Sequence, residues 1–182
     1  MKKLSFRTGI ILSAICSGLL AALFFGLNAA FPSALLLSLA ITFFTTFYHF
    51  AMRLLVGSLV PNRFDYRRAW FQPKAFENKL YKALHLKRWK DHMPTYDPRL
   101  FSLKENTLEQ IIGNMCQAEV VHEIIILCSF LPLLFTIFWG TFPVFCITSI
   151  LAAGVDTLFV MLQRYNRPRI ARLLHKKGNR YV

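Results

Sequence analysis

Acidic residues are scarce in this 182-residue chain: 9 Asp and Glu stand against 22 Lys and Arg, for a formal net charge of +13. That balance points to an anionic partner. The positive charge is segregated from the apolar runs and no nucleic-acid-binding motif occurs, so no nucleic-acid partner is expected, and an anionic membrane leaflet or anionic substrates fit better. Cysteines are few. Cys16, Cys116, Cys128 and Cys146 have no metal-ligand spacing and lie in or beside apolar runs, which reads as reduced and mostly structural. The chain lacks a Gly-x-Ser-x-Gly nucleophile elbow and the Asn-His-x4-Asp pattern of glycerolipid acyltransferases. It also lacks internal repeats and low-complexity linkers, so residues 1–182 read as a single integral membrane domain.

Apolar residues are abundant at 55%, too many for an ordinary soluble domain. The expected fold class is all-α: a polytopic membrane protein with four transmembrane helices, at about 9–30, 34–57, 118–138 and 144–162. A cytoplasmic interfacial helical segment at 61–116 lies between spans two and three, and a basic tail follows at 163–182. The first run also fits a signal peptide, with Asn28-Ala29-Ala30 as a faint cleavage site. Its length and the run that follows at once favour a retained span. Phe31-Pro32-Ser33 and Gly140 to Pro143 read as turns, and Pro132 as a bend. All Lys and Arg residues then fall on one side or at its edge, and the two turns carry none. The positive-inside rule makes the chain multi-pass with both termini cytoplasmic.

The 61–116 segment mixes basic residues with many aromatics. Phe76, Leu80 and Leu84 recur at helical spacing, with Lys79, Lys82, Lys87 and Lys90 elsewhere on the circle. This predicts one amphipathic helix from Phe76 to Lys90 on the membrane surface, ended by His92-Met93-Pro94. Ser102-x-x-Glu105 and Thr107-x-x-Gln110 are both candidate capping boxes for the next helix.

The chemistry-bearing residues cluster at one leaflet. Glu119, His122 and Glu123 open span three and share a helical face, with Glu119 and His122 three apart, close enough for the carboxylate to hold the imidazole. His49 and Arg53 lie one turn apart at the end of span two. Asp156 sits within span four, where an unpaired carboxylate costs about 2.5–3.5 kcal/mol on insertion scales. Arg53 or Arg164 is its expected counter-ion. The tail opens Gln163-Arg164-Tyr165-Asn166-Arg167-Pro168-Arg169, an arginine pattern suited to phosphate or carboxylate. The bland alternative is that these are interfacial pairs that only set helix depth.

Leu86-Lys87-Arg88-Trp89-Lys90, Ala118-Glu119-x-x-His122, and the Gln163 to Arg169 block followed by Lys177-Gly178-x-Arg180 resemble the glycosyl-4,4′-diaponeurosporenoate acyltransferase family. This is the bacterial membrane enzyme family of staphyloxanthin-type carotenoid synthesis. The resemblance covers about residues 75–180. It implies esterification of a hydroxyl of a glycosylated carotenoid, or a related lipid-linked acceptor, with a fatty acyl group in the bacterial cell membrane.

The catalytic candidates are His122 as general base, Glu119 as its orienting partner, Glu123 and Asp156. The substrate-binding candidates are Arg164, Asn166, Arg167, Arg169, Gln163, Trp89, Lys87, Lys90, His49 and Arg53, with Arg164, Arg167 and Arg169 holding donor phosphates. No metal or resident cofactor is expected. An acyl thioester such as acyl-CoA serves as co-substrate, with the acceptor and membrane lipids as partners. The alternatives are a metal-dependent membrane redox enzyme, for which the single Glu119-x-x-His122 unit needs Glu123, Asp156 and His49 to complete a mononuclear site, and a non-enzymatic membrane partner or small transporter.

Overall fold

The computed structural model describes residues 2–27, 34–93 and 97–178, all helical or irregular with no β-strand among them. Asn28 to Ser33, Pro94 and Arg180 lie outside the described residues, and with them the cleavage site, the first turn, one helix stop and the end of the tail. The helices are α1 (Lys2–Leu27), α2 (Ala34–Leu59), α3 (Glu77–Ala83), α4 (Leu86–Trp89), α5 (Leu108–Cys128), α6 (Thr136–Trp139) and α7 (Phe142–Gly178). Among the described residues, three stretches are long and apolar enough to cross a membrane: Ala34–Leu59, Leu108–Trp139 and Phe142–Lys176. The apolar part of α1, Ile11–Phe24, is shorter.

The chain divides into two compact units, residues 1–59 with 122–157 and residues 60–121 with 158–182. In the first unit α1 packs along α2. Its burial pattern departs from that of a soluble protein, with polar groups inside beside apolar ones and large apolar groups outside. Thr45, His49, Ser129, Ser149 and Asp156 are buried, while Leu127, Ile137, Phe138, Ile147 and Leu151 are exposed. Side chains of that kind on the outside suit contact with hydrocarbon, and polar groups then pair inward.

Pro132 does more than bend the third apolar run. α5 stops at Cys128, and a 3₁₀ turn spans Leu131–Phe135 with Pro132 in its first turn. Pro132 has no N–H to give the Cys128 carbonyl four residues back. That carbonyl instead accepts from the Tyr48 hydroxyl at 2.9 Å.

In the second unit, Phe71, Ile112 and Cys116 form a buried cluster packed by Val120, Ile170 and Leu174. Thr107 and Gln110 close a complete capping box at the start of α5. The Thr107 amide donates to the Gln110 side chain at 2.8 Å and the Gln110 amide to Thr107 Oγ1 at 3.2 Å. Ser102 makes only a turn, accepting from the Lys104 amide at 3.2 Å. Gln117 donates to the Val60 carbonyl at 2.7 Å, and Asn114 bridges Asn62 and the Leu100 carbonyl. These bonds tie the polar segment onto α5.

The expected single helix from Phe76 to Lys90 is two. His85 adopts φ 50°, a left-handed conformation that ends α3 and starts α4. The face turned inward is not the one the periodicity marks. Glu77, Tyr81 and Leu86 are buried, while Phe76, Leu80 and Leu84 are exposed. The fourth apolar run and the basic tail are one continuous helix, α7, through Gly178 with Pro168 inside it.

Candidate functional site

Each unit contains a buried polar cluster. In the first, Asp156 of α7 is fully buried and both its oxygens are engaged. Oδ2 accepts from Arg53 Nη2 at 2.6 Å and Oδ1 from Arg53 Nε at 3.3 Å. His122 Nδ1 of α5 lies 2.7 Å from Oδ1. Arg53 comes from α2, so three helices meet at one carboxylate. The guanidinium fork takes both oxygens and keeps the carboxylate charged. A charged carboxylate on Nδ1 selects the tautomer with its proton there, leaving the lone pair on Nε2. The arrangement is that of an imidazole held in one orientation by a buried acid.

One pairing differs from the sequence reading. The carboxylate on the His122 ring is that of Asp156 rather than Glu119, because α7 brings an acid to 2.7 Å from the ring. Of the two candidate counter-ions, Arg53 is the one on Asp156. His49, one turn before Arg53, is buried, and neither ring nitrogen has a hydrogen-bond partner among the described residues. Glu123 is half-buried on α5. Asp156 is thus committed to a cation and an imidazole. Among the described residues no three His, Cys, Asp or Glu side chains converge as metal ligands.

In the second unit Glu119 is fully buried between two arginines of α7. Arg164 Nη1 donates to its Oε1 at 2.5 Å, and Arg167 Nη1 pairs with its Oε2. Arg164 also donates to Glu77 Oε1 at 2.7 Å and to the carbonyls of Trp70 and Gln72 at 3.0 Å. Arg167 donates to the Phe71 carbonyl at 2.5 Å and lies over the Phe71 ring, 5.0 Å from its centroid. The 70–72 turn is therefore held by two guanidinium forks from 92 to 96 residues away. Arg164 and Arg167 spend their donors on protein acceptors, which leaves them little for donor phosphates. Arg169 stacks on Tyr165 at 3.5 Å and donates to its carbonyl at 2.7 Å. Gln163 and Asn166 are half-buried beside them on α7.

Tyr81 packs edge-on against Tyr165, with ring centroids 5.6 Å apart. Burial, and then the neighbouring Glu77 carboxylate, push its phenol well above the usual tyrosine range. Trp89 packs with Leu86 and Leu162 and donates its indole N–H to the Leu84 carbonyl at 2.9 Å, closing the break between α3 and α4. Lys87 is exposed and Lys90 half-buried. Sequence reasoning missed Glu77. Its signal was an acid placed among lysines at the first turn of α3, but only the fold brings Arg164 to it.

A family model described as glycosyl-4,4′-diaponeurosporenoate acyltransferase matches residues 67–176, more than half of the chain. The match includes Glu77, Glu119, His122, Asp156, Arg164 and Arg167, and leaves out His49 and Arg53. No curated protein and no solved structure matches the chain.

Proposed function

Because the chain belongs to the glycosyl-4,4′-diaponeurosporenoate acyltransferase family, a family of enzymes that transfer acyl groups in carotenoid biosynthesis, we propose that it is a multi-pass membrane enzyme that esterifies a sugar hydroxyl of a glycosylated carotenoid. A related lipid-linked sugar is the broader acceptor class. The acyl group comes from a thioester donor. The observation that carries this reading is the 2.7 Å contact between His122 Nδ1 and Asp156 Oδ1, with Arg53 on the same carboxylate.

The steps follow from that contact. His122 Nε2 takes the proton of the acceptor hydroxyl as its oxygen attacks the thioester carbonyl carbon. The tetrahedral centre collapses, the carbon–sulfur bond breaks, and the imidazolium returns the proton to the departing thiolate. Products are the ester and the free thiol. Asp156 holds the ring and stabilises the imidazolium, and Arg53 keeps Asp156 ionised. Arg164, Arg167, Glu119 and Glu77 are positioning residues that fix the 70–72 turn and α7.

The membrane arrangement is read with four spans, α1 included, and with the basic residues at the cytoplasmic face. The exposure of Trp70, Phe76, Leu80 and Leu84, with Lys74 Nζ 5.5 Å from the Trp70 ring, supports an interfacial position for the polar segment. Apolar substrate chains then reach a reaction centre at one depth.

The test is His122→Ala in membranes, assayed by mass spectrometry for esterified glycoside at matched protein abundance. Loss of the ester supports the base assignment. Undiminished ester removes it.

A further inference from the structure

The arginines that the sequence marks for phosphate are bonded to protein groups, yet the second unit carries cationic residues nearby that the mechanism does not use. A groove of about 450 Å³ is lined by Tyr66, Arg67, Phe71, Arg167, Arg172 and His175, among others. Arg167 and Phe71 are its buried part, while Arg67, Arg172 and His175 are exposed. Arg167 contributes little net charge there, because Glu119 and Glu77 balance Arg164 and Arg167. The charge the groove offers comes from Arg172 and, partly offset by Asp65 and Glu109, from Arg67, with the His175 ring beside them.

Arg172 uses only Nε internally, donating to the Pro168 carbonyl at 3.3 Å, and its terminal nitrogens have no partner among the described residues. Arg67 lies over the Tyr66 ring, 5.7 Å from its centroid, and faces the carboxylates of Asp65 and Glu109. The Tyr66 hydroxyl is shielded from solvent and faces Arg67, the one group beside it that can hydrogen-bond to it among the described residues. A hydroxyl that only accepts from a neighbouring guanidinium keeps its own O–H for a ligand oxygen.

The geometry points to this groove as the site for a phosphorylated head group. Two guanidinium forks, an imidazole and a phenol hydroxyl match the several acceptor oxygens of a phosphate ester. The volume falls in the range of small-molecule sites and exceeds what a single ion needs. This inference rests on the acyl-transfer reading for its source: the nucleotide end of a thioester donor. An anionic phospholipid head presents the same chemistry, and experiment separates the two.

The full chain is reconstituted in phosphatidylcholine nanodiscs, and coenzyme A binding is measured calorimetrically for the native protein and for R67Q/R172Q. Both positions are exposed, so the variant folds, which circular dichroism checks. Affinity falls at least about tenfold in the variant if the groove holds the nucleotide. A second arm uses phosphatidylglycerol nanodiscs. If lipid heads occupy the groove, they suppress coenzyme A binding in the native protein, and a spin-labelled phosphatidylglycerol is immobilised by the native chain and not by the variant. Equal coenzyme A affinity in both proteins, with equal lipid immobilisation, overturns the site. Coenzyme A binding that is lost in R67Q/R172Q, together with a native chain that forms no ester, keeps the groove and sinks the function proposed above.

Discussion

His122 and Asp156, thirty-four positions apart in the chain, meet at 2.7 Å through Nδ1 and Oδ1, and the second oxygen of Asp156 is held by Arg53. In the acyl-transfer reading proposed above, the relationship presents His122 as the base in one tautomer. His122→Ala is expected to lower ester formation about 10²- to 10⁴-fold, the usual contribution of a positioned base. Asp156→Asn keeps the shape but lets the ring turn or change tautomer, and is expected to cost at least about 10²-fold in turnover. Turnover per folded protein, measured by product mass spectrometry against a fluorescence-tagged abundance, checks both. If Asp156→Asn turns over normally, Asp156 is not the orienting group.

Glu119 is expected to behave differently from His122. Its carboxylate is fully buried between Arg164 and Arg167. Glu119→Gln leaves two guanidinium groups, each largely buried, short of their counter-charge. Breaking a buried pair in this way costs about 3–5 kcal/mol. The expected outcome is a lower melting temperature in detergent and little folded protein, whereas His122→Ala melts near the native value. A Glu119→Gln protein of native stability and no activity would move Glu119 into the chemistry.

The pattern of what the sequence made legible is physical. Apolar runs report on solvent, so α2, α5 and α7 follow from composition, and the need of Asp156 for a cation follows from the cost of burying it. Thr107 and Gln110 are three apart, and their mutual capping is local. Pairings set by packing are not legible in that way. The i,i+3 spacing of Glu119 and His122 puts them on one helix face, yet each takes a partner from α7, chosen by distance in space. Arg164 and Arg167 look like a ligand motif because guanidinium groups suit phosphate and backbone carbonyls alike. The break at His85 is invisible because no glycine, the usual mark of a left-handed residue, stands there, and the apolar spacing runs through it. The buried face of α3 was hidden for a related reason: Glu77 reads as a solvent residue until Arg164 neutralises it.

Tyr81 gives the pH prediction. Burial and the Glu77 carboxylate raise its pKa in the folded chain above the ordinary tyrosine value near 10. The folded state therefore holds the phenol proton more tightly than the unfolded state. This advantage is present below about pH 10 and is lost as pH climbs through the raised folded value, because the unfolded chain releases the proton first. Stability measured by thermal unfolding is expected to fall above pH 10, and Tyr81→Phe to flatten that fall. An unchanged slope in Tyr81→Phe would assign the alkaline loss to other groups.

The exposed side of the polar segment supplies a prediction about depth. Trp70, Phe76, Leu80 and Leu84 are exposed, and Lys74 sits over Trp70 at 5.5 Å. In water these side chains have no reason to stand out together, whereas at headgroup depth the rings meet acyl carbon and the lysine meets phosphate. In a Trp89→Phe/Trp139→Phe background, Trp70 is the remaining indole. Its fluorescence is expected to be quenched by phosphatidylcholine brominated near the glycerol end of the acyl chain, and less by lipid brominated near the terminal methyl. Adding Phe76→Ser and Leu84→Ser removes apolar area at exposed positions without touching Glu77, Tyr81 or Leu86, so the fold persists and the quenching drops. Equal quenching by both lipids, or none, would place this segment away from the interface.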